Sequence, residues 1–157
     1  MAPPETSADV DSADLSVRLE RSFNAGRGPV FHAFLRPETL RLWWGPEGFT
    51  AESIEVDARV GGRFRFAFKA PDGAVHAMCG EYREIRPPEK LVFTWFWEGS
   101  ESAVSLVTID LHDAPGGTRL ALVHEGLPTK ESRESHTWGW NSGFNNLAQA
   151  IDKGEIT

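Results

Sequence analysis

Trp140, Phe144, Leu147 and Ile151 recur at intervals of 4, 3 and 4 residues near the end of the chain. That spacing is the apolar stripe of an α-helix and predicts one over residues 129–153. Thr129 is placed to cap its start, with Glu131 and Glu134 near the N-terminal end. Lys153 suits the opposite end and Gly154 stops it. At about 1.5 Å per residue such a helix runs on the order of 35 Å. Its stripe must be buried against a surface of similar length, and the rest of the chain has to supply that surface.

Most of the remaining sequence has period 2. "LSVRLERSF" alternates Leu15, Val17 and Leu19 with Ser16, Arg18 and Glu20. Residues 50–126 read as six further strands, broken by "DARVGG", "PDG", "RPPE" and "APGG", whose Gly and Pro residues are suited to turns. Phe64, Phe66 and Phe68 share one face of a strand, and Arg63, Arg65 and Lys69 take the other. Phe93, Trp95 and Trp97 alternate in the same way. Between the first strand and the rest, "GRGPVFHAFLRPETLRLWWG" reads as two short helices. Pro29 is expected at the first helical position, Pro37 between the helices, and Gly45 as the C-terminal cap. The order strand, two short helices, six strands, long helix predicts an α+β fold. An antiparallel seven-stranded sheet, strongly twisted, wraps around the C-terminal helix.

With 157 residues the chain suits one domain. Residues 1–13, rich in Pro, Ala, Ser and acid, read as a disordered acidic leader, and residues 14–157 as the single domain. A net charge of -7 argues against nucleic acid and anionic membrane as partners. Cys79 is the only cysteine, no signal peptide is read, and no apolar run is long enough to span a bilayer, so a cytoplasmic location is expected. Edge strands permit a homodimer without demanding one.

The aromatic content is skewed, with 6 Trp and 10 Phe against 1 Tyr. Trp43 and Trp44 are adjacent in "TLRLWWGPEGF". On a helix they would point about 100° apart, so one is expected in the core and the other at an opening. If the faces carrying Phe66, Phe68, Trp95 and Trp97 converge with Trp140 and Phe144, the interior is apolar and aromatic. Two readings stand at that point, a fully packed core or a cavity for an apolar ligand.

The polar candidates are fewer. His124 falls on the side of Leu120 and Leu122, and His136 lies one helical turn before Trp140, so the two imidazoles can meet inside the sheet. Each is either structural and hydrogen-bonded or an anchor, acid or base. His76 and Met78 are candidates for the rim or for anchors. None of the five histidines has a metal-ligand spacing, and neither a nucleophile elbow nor a phosphate-binding glycine pattern is present. No metal and no cofactor are expected, and no catalytic residue is assigned.

Five segments in this order resemble one superfamily: "PETLRLWWGPEGF", "DARVGGRFRF", "GEYREIRPPEKLVFTW", "GTRLALVHEGL" and "WGWNSGFNNLAQAI". They resemble the helix-grip fold of the START-like (SRPBCC, Bet v-like) superfamily. Within it the chain is most similar to the single-domain branch named after the Aha-type activator of the heat-shock chaperone ATPase. The resemblance implies a curved sheet gripping the long helix and a cavity between them. It also sets the short helices of Trp43 and Trp44 at one open end. The function it implies is binding of a small hydrophobic or aromatic ligand, lipids included. Two alternatives accompany it: a polyketide cyclase/dehydratase-like or hydrolase enzyme using the same pocket, and a co-chaperone-type module with a chaperone partner.

Overall fold

The computed structural model describes residues 15–45 and 48–156. The expected leader at 1–13 lies outside the described residues. Seven strands form one antiparallel sheet: β1 (Val17–Phe23), β2 (Thr50–Val56), β3 (Arg63–Lys69), β4 (Val75–Arg86), β5 (Lys90–Trp97), β6 (Ser105–Ala114) and β7 (Gly117–Glu125). Their order across the sheet is β1-β7-β6-β5-β4-β3-β2, so each strand from β2 to β7 pairs with its neighbour in sequence. β1 closes the far side by pairing with β7, Val17 opposite His124 and Phe23 opposite Thr118. Register shifts at Ala51/Ser53 and Tyr82/Glu84 mark irregularities in β2 and β4, the kind of feature that bends a strand.

Helices α1 (Arg27–Ala33) and α2 (Pro37–Trp43) connect β1 to β2. α1 starts two residues earlier than expected: Gly26 is its N-cap and Pro29 is its third residue. The first turn of a helix leaves its N–H groups unpaired, so proline is tolerated there as well. Val30, Ala33 and Phe34 are buried together, as are Leu40 and Trp43. The helix α3 (Lys130–Asp152) lies on the inner face of the sheet. Thr129 caps it, its side chain accepting the Ser132 N–H at 3.0 Å. Its stripe is buried as the spacing requires: Trp140, Phe144, Leu147 and Ile151 all join the main core. Phe144 meets Phe23 of β1 edge-on at 5.9 Å and Trp43 of α2 at 6.1 Å.

Burial on the sheet follows the alternation in the sequence. Phe64, Phe66 and Phe68 are buried, while Arg63 and Lys69 are exposed on the opposite face. There Arg65 grips Glu98 through two hydrogen bonds of 2.8 and 2.9 Å. The C-terminal half of α3 is packed into the core through Phe144, Leu147, Ala150 and Ile151. Near the N-terminal half of that helix it opens.

Candidate functional site

Between the N-terminal half of α3, the end of α2 and strands β3 to β5 lies a cavity of about 480 Å³. This is the size range of small-molecule sites. All six tryptophans of the chain line it: Trp43, Trp44, Trp95, Trp97, Trp138 and Trp140. Phe68 and Met78 add apolar wall from β3 and β4. The exposed lining residues His76, Trp97, Glu131, Ser135 and Trp138 make the mouth. The buried ones, Trp43, Trp95, His136 and Trp140 among them, make the interior.

Trp43 and Trp44 both line this space, at different depths. α2 ends at Trp43, but Trp44 keeps a helical φ of -70 and gives its N–H to the Leu40 carbonyl at 2.9 Å, so the two side chains leave the helix in different directions. Only its ψ of 142 is extended, and Gly45 follows in the left-handed region at φ 102. Trp43 is fixed in the core, donating its Nε1–H to the Ala33 carbonyl at 2.9 Å. Trp44 is partly buried and packs edge-on against Phe66 at 5.1 Å and Trp140 at 5.2 Å. Gly45 stands just after the C-cap in the left-handed region, the place of a helix-ending glycine, as the sequence led one to expect.

His124 and His136 meet, with ring centroids 4.6 Å apart. Their roles differ. His124 is fully buried (0% exposed). The Trp140 indole, which can only donate, gives its Nε1–H to His124 Nδ1 at 3.1 Å. Nδ1 is then the acceptor of a neutral imidazole, and Nε2 carries the proton. Nε2 donates to Ser105 Oγ at 2.7 Å, and that hydroxyl donates to the Trp95 carbonyl at 3.1 Å. The result is a closed, directional chain from α3 to β7 to β6 to β5. A second proton on the ring would break its first link. Burial, with the His136 ring adding to it, lowers the His124 pKa to about 3. His136 lines the cavity, and burial lowers its pKa to about 4.

Of the residues the sequence put forward, Trp43, Trp44, Phe68, His76, Met78, Trp95, Trp97, His136 and Trp140 are brought together around one space. Phe66, His124 and Phe144 are not on its wall. Phe66 backs Trp44, His124 backs Trp95 and Trp140, and Phe144 backs Trp43 and Trp140. Sequence reasoning missed Phe49, Glu131, Ser132, Ser135 and Trp138. The signal for the α3 group was available: Glu131, Ser135 and Trp138 lie 3 or 4 residues apart on one helical side. Gly139 and Gly143, one turn apart, keep that side low; a Cβ on Gly139 would meet nothing within 4 Å. Among the described residues no cluster of His, Cys, Asp or Glu is arranged to hold a metal ion. Cys79 is half-buried, and burial raises its thiol pKa.

Comparison with protein families places this architecture. The model described as "Activator of Hsp90 ATPase homolog 1-like protein" matches residues 24–152. The chain belongs to this family. No curated protein matches it. Among solved structures, an activator of Hsp90 ATPase homolog 1-like chain such as this one superposes on a protein of Chromobacterium violaceum with TM-score 0.81 and 34% identity, over 87% of this chain and 96% of that one. A family protein of Silicibacter pomeroyi follows at TM-score 0.79 and 28% identity, over 88% and 99%. A protein of Nitrosomonas europaea, 23% identical over 91% and 97%, shares the fold at TM-score 0.78. Among the described residues no helix of this homolog 1-like chain is long and apolar enough to cross a membrane.

Proposed function

We propose that the chain binds one small hydrophobic or aromatic molecule in the cavity between the curved sheet and α3. The observation that carries this reading is the wall itself: a space of about 480 Å³ lined by all six tryptophans. Indoles left facing a void forgo packing contacts that a ligand would restore. The exposed rings of Trp97 (44%) and Trp138 (54%) at the mouth fit the same reading, since they offer an apolar entrance.

Catalysis is supported less well. Both ring nitrogens of His124 are engaged in the chain to Ser105 and Trp140. It is thus unavailable as an acid or base. His136 is a weak base at pKa about 4. The chaperone-partner reading rests on the family description, and the outer-face row of Arg63, Arg65 and Lys69, the basic patch such a partner could use, is partly neutralised by the Arg65–Glu98 pair.

The test is a plug. Gly139 faces open space on the cavity side of α3. Gly139→Trp should obstruct the cavity without disturbing the core, and Gly139→Ala should leave most of it free. In a titration with the neutral fluorophore N-phenyl-1-naphthylamine, wild type and Gly139→Ala should saturate at one site with similar affinity, and Gly139→Trp should bind about tenfold or more weakly. Equal affinity in Gly139→Trp, or no binding at all, would count against the proposal.

A further inference from the structure

We infer that the cavity selects an uncharged aromatic molecule bearing a hydrogen-bond acceptor (a ketone, ester or ether oxygen) that takes the Trp95 indole N–H, and that it rejects the matching carboxylate. This rests on the binding reading above and narrows it to a chemical class.

The inference begins with an unmade bond. Trp95 is 7% exposed and lines the cavity. Its Nε1–H is buried with no hydrogen-bond partner, the one such side-chain atom among the described residues. Buried donors are almost always paired, and one left over points to a missing acceptor. The neighbouring donors are already used: Trp43 gives its N–H to the Ala33 carbonyl, and Trp140 gives its own to His124. The chain through His124 and Ser105 ends on the Trp95 backbone carbonyl and so offers nothing to the Trp95 indole. No acceptor among the described residues takes this proton. His136 and Trp97 pack edge-on against the Trp95 ring at 5.2 and 5.8 Å. The N–H itself is covered, so an incoming oxygen reaches it only when a neighbouring ring shifts, and of these two Trp97 is the less enclosed.

The charge of the acceptor follows from the rest of the wall. No lysine or arginine lines the cavity, and Glu131 stands at its mouth. Burial keeps His136 neutral at pH 7, so it supplies no cation either. A carboxylate entering this space would lose its water and gain no opposite charge, which is costly. A neutral oxygen gives up far less on entering and still accepts the indole proton.

Three probes of nearly equal shape separate the terms: 2-ethylnaphthalene, 2-acetylnaphthalene and 2-naphthoate. Each is titrated into uniformly 15N-labelled protein at pH 7.5, with affinities and indole N–H shifts read together. Trp95→Phe assigns the Trp95 resonance. The ketone should bind about tenfold more tightly than the hydrocarbon, the worth of one hydrogen bond. It should also move the Trp95 indole proton downfield, which the hydrocarbon should not. Naphthoate should bind about tenfold or more weakly than the ketone. In Trp95→Phe the ratio of ketone to hydrocarbon affinity should fall to about one, whatever the ring change does to both. Equal binding of ketone and hydrocarbon by wild type, naphthoate matching the ketone, or a ketone preference that survives Trp95→Phe would each overturn the inference and leave the cavity reading standing. If none of the three binds, both fall. Should Trp95→Phe fail to fold, the three wild-type affinities decide alone.

Discussion

The indole N–H of Trp140 on α3 and Nδ1 of His124 on β7 lie 3.1 Å apart in a donor–acceptor pair buried from solvent. This bond fastens the long helix to the sheet and fixes the imidazole in one tautomer. Trp140→Phe keeps an aromatic ring but leaves Nδ1 without a donor. We expect a loss of about 2 kcal/mol, from the unmet acceptor and the smaller ring together. Urea unfolding followed by far-UV circular dichroism measures it. A change within about 0.5 kcal/mol would show that the bond contributes little.

Two depressed imidazoles set an acid limit on the fold. The unfolded chain takes up a proton on each histidine near the ordinary pKa of 6.5, while folded His124 and His136 hold out to about 3 and 4. Between those values the unfolded state binds more protons, so stability falls as pH drops below about 6.5 and levels off only near 3 to 4. Above 6.5 these two groups contribute no slope. Thermal melts from pH 8 to pH 4 should show this shoulder. His136→Phe should make the acid decline shallower. An identical decline would assign it to carboxylates instead.

Gly80 and Gly139 should respond in opposite ways to alanine. A Cβ on Gly80 in β4 would lie 1.9 Å from the Thr94 carbonyl oxygen and 2.4 Å from the Phe64 ring. Backbone cannot yield that far, so Gly80→Ala should cost about 3 kcal/mol or more. Gly139 on α3 has nothing within 4 Å, and alanine there should add about 0.5–1 kcal/mol. Differential scanning calorimetry of both variants settles the pair.

Thr129 holds the first turn of α3, the segment that brings Glu131, Ser132 and Ser135 to the mouth. Thr129→Ala removes the acceptor for the Ser132 N–H and should cost about 1 kcal/mol. Hydrogen exchange should rise in the first turns of α3 and stay unchanged near Leu147. Uniform acceleration along the whole helix would mean that the cap acts globally.

The order of elements, the pairing of sequential strands and the span of α3 were legible in the sequence. Each rests on a local signal: alternation in "RFRFAFK", turn residues at the joints, and the spacing of Trp140, Phe144, Leu147 and Ile151. The candidate site was legible only by face. Alternation puts Phe64, Phe66 and Phe68 inward together, yet Phe68 reaches the cavity and Phe66 is covered by Trp44. Depth within the fold depends on what crosses above each residue, and sequence period carries no such term. Trp44 shows the same limit, since the rings that cover it, Phe66 and Trp140, come from elements distant in sequence. Trp138 was passed over because it lies off the apolar stripe, on the flank that borders the opening rather than the one that packs the sheet.

The partnership of the first and seventh strands has a consequence for how the molecule comes into being. Val17 finds its place only opposite His124, more than a hundred positions downstream on the same chain. During synthesis β1 therefore waits, unpaired, until β7 has cleared the ribosome. The wall of the cavity on α3 is made later still. Contacts this distant in sequence are slow to close and leave strand edges open meanwhile. Until β7 is paired and α3 and Ile156 have docked, those edges and the inner face of the sheet stay open to self-association.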